Sequence, residues 1–144
     1  MRNTILALTL TSLLSAGNAI AAEAPVVDVY KSPTCGCCSR WVDHMRANGF
    51  NVRAIDVPDV GAVRRKVGMP AALSGCHTAL VGGYVIEGHV PAADVKRLLR
   101  EKPKAIGLAV PDMPGGSPGM ENHHAVPYET LLVTRDNLQS FARH

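Results

Sequence analysis

Three of the chain's four cysteines fall within four residues, Cys35-Gly36-Cys37-Cys38, and the fourth, Cys76, is followed directly by His77. Cysteines this crowded do not form an ordinary pair of structural staples, so the cluster points to chemistry. A thiolate is both the nucleophile of thiol–disulfide exchange and the ligand that soft metal ions prefer. Cys35, Cys37 and Cys38 can surround or bridge one soft ion, and Cys76 makes a fourth sulfur ligand if the fold carries it across. Burial as a small filler, or a structural disulfide to one member of the cluster, is the plainer alternative for Cys76. Six histidines and five methionines enlarge the supply of donors. Thiolate and thioether sulfur select Cu(I), whereas zinc takes Cys and His in a closed tetrahedron.

The elements that must position these residues can be read from periodicity. Val26–Tyr30 is strand-like and leads through Lys31–Thr34 into the cluster. From Cys38, the apolar Trp41, Val42 and Met45 follow at helical spacing, and Gly49 ends the helix. The cysteines therefore sit at a helix N-terminus, where unpaired N–H groups and the partial positive charge favour thiolate over thiol. Val52–Val57 reads as a second strand. Asp59 caps a short helix with Val60, Val63 and Val67 on one side, stopped by Gly68-Met69-Pro70. Thr78–Val81 and Tyr84–Glu87 flank Gly82-Gly83, a hairpin signal. Pro91 opens a helix with Val95, Leu98 and Leu99 inward, ending before Pro103. The order is β-α-β-α-β-β-α.

Past Lys104 the texture changes. Gly107–Asn122 holds four Gly and three Pro without periodicity and reads as a long loop. It carries Met113 and Met120 and runs into His123-His124. Each of these is a copper ligand or a bland feature: an apolar plug for the methionines, a solvated side chain for the histidines. An apolar segment, Tyr128–Val133, and a final helix over Asp136–Ala142 follow, so residues 105–144 form an extension packed on the domain. His44 lies about 10 Å along the helix axis from Cys37, too far to share an ion, and reads as surface or packing. Met45 reads as core, and terminal His144 as having no part in the site.

Composition narrows the class. A length of 144 residues allows one domain, 22–144, after an N-terminal address. Residues 1–21 have a basic start, a short apolar run and an A-x-A site at Ala19 and Ala21. They are expected to be a secretory signal peptide, too short in its apolar run to span a bilayer. Loss of Arg2 with it takes the net charge from +3 to +2, which gives no polybasic surface for nucleic acid. The mature chain is expected to be soluble and periplasmic, without a membrane attachment. Nothing suggests Ser-His-Asp hydrolysis, a phosphate loop or paired catalytic carboxylates.

The element order, with cysteines at the first strand-to-helix turn, resembles the thioredoxin fold in its glutaredoxin-like form. Ser32-Pro33-Thr34-Cys35-Gly36-Cys37-Cys38 resembles the glutaredoxin S-P-T-C-x-x-C turn with an extra Cys. Four motifs together resemble the exported copper-resistance proteins called CopG: the CGCC turn, GCHTAL at 75–80, EGHVP at 87–91 and GLAVPDMPGGSPGME at 107–121. That resemblance implies copper handling in the periplasm on a thioredoxin-like scaffold, with a copper redox role. Counted back from the hairpin, His77 falls where glutaredoxins carry a cis-proline against the C-x-x-C turn, so two metal ligands replace the shielding residue. His89 falls where glutaredoxins bind the glutathione carboxylate, close to the site, unless it caps the helix after Pro91.

The expectation is an α/β, thioredoxin-like copper protein holding more than one Cu ion per chain. Its donors are Cys35, Cys37, Cys38 and Cys76, with His77 and His89, and Met113, Met120 and His123 from the tail. Its partners are copper ions and a periplasmic copper-handling or redox protein. Two other classes stand beside this one. A thiol–disulfide oxidoreductase would use Cys35 and Cys38, and a zinc-binding module would turn nothing over.

Overall fold

A computed structural model describes residues 25–144; the expected signal peptide lies outside the described residues. The chain is a mixed α/β protein built on one seven-stranded sheet, in the order β2-β1-β3-β4-β5-β6-β7. Among the described residues the first elements are β1 (Val27–Lys31), α1 (Gly36–Ala47), β2 (Val52–Asp56) and α2 (Val60–Lys66). A single 3-10 turn, Ala71–Leu73, precedes β3 (His77–Val81), β4 (Tyr84–Gly88) and α3 (Ala92–Glu101). The extension adds β5 (Gly107–Val110), β6 (Glu129–Val133) and β7 (Leu138–Arg143). β1 runs parallel to β2, and β3 lies antiparallel to both β1 and β4. This β-α-β-α-β-β-α half is compatible with the thioredoxin-like arrangement that the sequence suggests.

The local signals act as expected in this half. Cys35 is the N-cap of α1, its sulfur accepting the Cys38 amide at 3.3 Å, so the helix begins two residues before Cys38. Asp59 caps α2 by accepting the Ala62 amide, although α2 buries none of its residues. Gly82 and Gly83, at φ of 55° and 84°, form the tight β3–β4 turn that only residues tolerant of positive φ can make.

The main core lies between the sheet and helices α1 and α3. Trp41, Val42 and Met45 meet Val95 and Leu98 over Val27, Val29, Ala79, Ile86, Leu108 and Val110. The opposite face carries a smaller cluster of Met69, Leu73, Val85, Ala109 and Val133. Each Val, Leu, Ile or Met side chain among them taken fully out of water contributes about 1.5–3 kcal/mol, so the two clusters rather than helix propensity hold the layers together.

Two expectations about the extension are overturned. Gly107–Val110 is not loop but β5, parallel to β4 and buried along its whole length. Leu108 and Val110 face one cluster and Ala109 the other, so both faces are covered and no polar alternation appears in the sequence. The expected final helix is instead β7, hairpinned to β6 across a turn in which Thr134 Oγ1 accepts the Asn137 amide at 3.1 Å. A seven-residue helix nucleates poorly, whereas the open edge of β6 offers a ladder of unpaired backbone groups. The Arg97 guanidinium seals the choice, lying 4.2 Å over the Phe141 ring and donating to the Phe141 carbonyl at 2.8 Å. His144, read as having no part in the site, closes this hairpin. It stacks on Tyr128, and its Nε2 donates at 2.9 Å to the buried Asp94 of α3, which also accepts from Thr130 Oγ1 at 2.6 Å.

Candidate metal centre

The first turn of α1 and the segment entering β3 meet at one end of the sheet. The four sulfurs of Cys35, Cys37, Cys38 and Cys76 all lie within 4.8 Å of one another. Cys35 and Cys38, one helical turn apart with Cα atoms 5.4 Å apart, are joined in a disulfide. Cys37 and Cys76 are free thiols whose sulfurs stand 3.4 Å apart, and Cys37 is also 3.5 Å from the Cys35 sulfur. Cys38 is fully buried and the other three are half-buried, so the group opens to solvent on the side of Cys35, Cys37 and Cys76.

A buried charge network sets the position of Cys76. Glu87 of β4 is wholly buried and paired with Arg64 of α2 at 2.8 Å. One Glu87 oxygen accepts the Gly75 amide at 2.7 Å, the other accepts Thr78 Oγ1 at 2.7 Å, and Arg64 donates to the Gly75 carbonyl at 3.0 Å. Gly75 through its backbone amide and Thr78 through its hydroxyl, on either side of Cys76, are therefore tied to a single carboxylate. Gly75 has no room for a side chain, since a Cβ there would stand 2.5 Å from the Gly88 Cα. Sequence reading did not assign this role to Glu87. Its signal was a charge set between Ile86 and Gly88 in a strand run where the alternation predicts an apolar or exposed residue.

His77, the residue after Cys76, and His89, just past β4, are both fully buried. The His77 ring packs on Trp41 with centroids 4.4 Å apart and meets the His89 ring edge-on at 5.2 Å. Neither nitrogen of His77 has a hydrogen-bond partner. Burial pushes its pKa down to about 3, the nearby His89 adds to this, and the Gly88 backbone opposes it without completing a hydrogen bond. His77 is thus a neutral imidazole with a free lone pair at any physiological pH. Burial also lowers the pKa of His89, against the opposing pull of the Pro118 carbonyl and Glu121. His89 Nδ1 is 2.8 Å from the Pro118 carbonyl, an obligate acceptor, so this nitrogen carries the proton and the unpartnered Nε2 keeps its lone pair. Unpartnered buried ring nitrogens are rare, and the lone pairs they keep suit metal ligation. The imidazoles lie outside the tight four-sulfur group.

The segment after β5 folds over this end as a strap. Ser117, Pro118 and Gly119 are buried. Arg40 of α1 donates to the Gly119 carbonyl at 2.9 Å, and Glu121 accepts the Gly119 amide at 2.7 Å. Gly119, at φ 89°, passes so close to α1 that a Cβ would meet the Cys37 carbonyl at 2.7 Å and His89 Nδ1 at 3.2 Å. Among the tail donors, Met120 is half-buried on the strap, Met113 is 40% exposed, and His123 and His124 are exposed. Neither His123 nor His124 joins the four-sulfur group. His44 accepts the Ala92 amide on Nε2 at 3.1 Å and so caps α3, the alternative that had been weighed for His89.

A sulfur-rich cluster at a helix N-terminus of a mixed α/β sheet, backed by two neutral imidazoles, defines a soft-metal or thiol-redox protein. Two solved structures match the chain. "Copper resistance protein copG- Form 2" shares 40% identity with a TM-score of 0.80, covering 85% of this chain and 99% of that one. "Copper resistance protein copG- Form 1" shares 40% identity with a TM-score of 0.79, covering 85% of this chain and 98% of that one. The chain belongs to the CopG copper-resistance family. Residues 73–120 match the family described as "Protein of unknown function, DUF411". No curated protein sequence matches it significantly.

Proposed function

We propose that this protein is a periplasmic copper-binding protein of copper resistance that holds Cu(I) on its cysteine sulfurs and interconverts Cu(I) and Cu(II). The observation that carries the reading is the approach of four sulfurs to within 4.8 Å of one another. Thiolates bridge soft ions and spread their charge, so adjacent Cys37 and Cys38 suit a site of more than one copper better than a lone tetrahedral ion. His77, and His89 through Nε2, complete the inner donor set. Met120, Met113 and His123 are outer donors on the strap, where they would receive copper from or pass it to a periplasmic copper-handling or redox partner. Export rests on the signal-like N-terminus, and no helix among the described residues is long and apolar enough to cross a membrane.

Anaerobic titration of the reduced protein with Cu(I) against a competing chelator, repeated with Zn(II), tests the reading. More than one tightly held Cu(I) per chain is expected, with lower stoichiometry in His77→Ala. One equivalent of zinc that copper cannot displace would overturn it in favour of a structural zinc module. The Cys35–Cys38 disulfide favours a second reading, a thiol–disulfide oxidoreductase acting on other proteins. That reading requires Cys35 to exchange freely beside the thiol of Cys37.

A further inference from the structure

The basic side chains are not evenly spread. Among residues 25–144, seven ion pairs with Asp or Glu take up half of the fourteen Lys and Arg side chains. Arg40 is held by the Gly119 carbonyl. The remaining six, Lys66, Lys96, Arg100, Lys102, Lys104 and Arg135, are exposed and paired with no acid. They gather at the end of the sheet away from the cysteines, which β1 separates from the cysteine end by about 13 Å. Helices α2 and α3 each follow a strand that ends at the cysteine end, and both run back from it. Lys66 is the last residue of α2, Arg100 lies in the last turn of α3 with Lys96 one turn earlier, and Lys102 is the α3 C-cap. Lys104 leads into β5, and Arg135 follows Val133, which pairs with Gly107 at the start of β5. The chain's net charge of +3 hides this grouping, because the cations elsewhere are neutralised in pairs.

Open grooves run between these cations. One of about 280 Å³ has Phe50 and Leu99 beside Lys96 and Arg100. A second of about 510 Å³ shares Pro25 and Leu99 with it and adds Tyr84 and Lys102. A third of about 690 Å³ reaches from Gly83 past Ile106 to Lys104 and Arg135, and its Asp136 is the one acid lining any of the three. Glu101, close by, is taken by Arg97 at 2.8 Å.

We propose that this end of the molecule docks reversibly on an anionic phospholipid bilayer, with the cysteine end facing away. The six cations meet lipid phosphates, and Phe50, Leu99 and Tyr84 meet the apolar boundary beneath them. Each Lys or Arg near such a surface contributes about 1 kcal/mol, so a cluster of this size is enough for peripheral binding. The contact stays peripheral, since no helix among the described residues is long and apolar enough to cross a membrane. Two observations favour a bilayer over an acidic protein. Pro25, which lines two of the grooves, is where the N-terminal segment joins, and the four residues from Ala21 can span no more than about 14 Å. The apolar run expected to enter the membrane during export is thus tied to this face. A partner that takes a metal ion from the sulfurs has to reach the opposite end.

The test uses protein purified from the periplasm, its mature N-terminus read by mass spectrometry. It is sedimented with vesicles of phosphatidylglycerol and phosphatidylcholine, or of phosphatidylcholine alone. Binding to the anionic vesicles only is expected, with release at about 1 M salt, where screening reaches to about 3 Å. Lys102→Gln/Lys104→Gln/Arg135→Gln, checked for fold by circular dichroism, should bind about a hundred-fold more weakly, at about fivefold for each charge lost. Lys102→Arg/Lys104→Arg/Arg135→Lys should bind as the parent does. No binding to anionic vesicles at low salt, equal binding to phosphatidylcholine, or unchanged binding of the Gln variant would overturn the inference. Release by inorganic phosphate at the vesicles' own phosphate concentration would also overturn it, in favour of a free-anion site. Poly-glutamate holding the protein as tightly as the vesicles do would overturn it in favour of an acidic protein partner.

Discussion

The sulfurs of Cys37 and Cys76 stand 3.4 Å apart although 39 positions separate the two residues. Cys37 is placed by the first turn of α1, capped by Cys35, and Cys76 by the backbone leading into β3, which pairs antiparallel with β1. The contact therefore depends on the β1–β3 register and on whatever holds the segment before β3. Residues that touch neither sulfur should control it.

Glu87 is the first such residue. Glu87→Ala removes the acceptor of the Gly75 amide and of Thr78 Oγ1 and leaves Arg64 unpaired, with only 11% of its side chain exposed. Breaking one side of a buried pair costs about 3–5 kcal/mol, and chemical denaturation should show a loss of that order. Glu87→Gln should lose less, because its carbonyl oxygen can still accept from Gly75. In both variants the Cys76 thiol should alkylate faster than in the parent protein. Unchanged Cys76 reactivity in a destabilised Glu87→Ala would show that the network supports the fold without positioning the thiol.

Gly119 tests the strap. In Gly119→Ala the new methyl would press on the Cys37 carbonyl at a backbone φ of 89°. Overpacking of this kind costs about 1–3 kcal/mol, and here it should be relieved by lifting the strap rather than by moving α1. The expected outcome is a lower melting temperature and faster transfer of bound copper to a chelator in stopped-flow mixing. A slower transfer would mean that the strap does not limit access.

Acid should destabilise the metal-free protein through its histidines. His77 is held neutral down to about pH 3, and burial lowers the pKa of His44 and of His89 as well. The unfolded chain takes up protons below about 6.5 while the folded one does not, so stability falls as pH drops from 6.5 towards 3 and is flat above 6.5. For His77 alone the loss at pH 5 is about 2 kcal/mol. Urea unfolding of metal-free protein at pH 7 and pH 5 measures it. His77→Phe should flatten the dependence, and His44→Gln should remove a smaller part of it, since a protonated imidazole cannot accept the Ala92 amide.

General disulfide reductase activity should be weak. The Cys37 sulfur lies 3.5 Å from that of Cys35 and competes for any mixed disulfide formed there, while Cys38 is fully buried. Reduction of insulin by the metal-free protein should stay far below that of a thioredoxin. Brisk turnover, abolished in Cys35→Ser and untouched in Cys76→Ser, would return the protein to the oxidoreductase class.

Periodicity and caps were enough to reveal the first seven elements, because each carries its own local signal: the stripe of Trp41, Val42 and Met45, the Asp59 cap, the Gly82-Gly83 turn. The crowding of Cys35, Cys37 and Cys38 likewise announced soft-metal or thiol chemistry by residue type and spacing alone. The rest needed the tertiary structure. β5 is buried on both faces and so has no alternation to read, and β7 is a strand because β6 leaves an edge to be paired. The capping of α3 by His44 and the closure of the hairpin by His144 join elements far apart in the chain. The division of four cysteines into a joined pair and two free thiols, and the hold of Glu87 on Gly75, likewise arise from distances across the sheet. Short-range physics writes itself into consecutive residues, but long-range contact is set by strand register and by the packing of layers, which no single segment encodes.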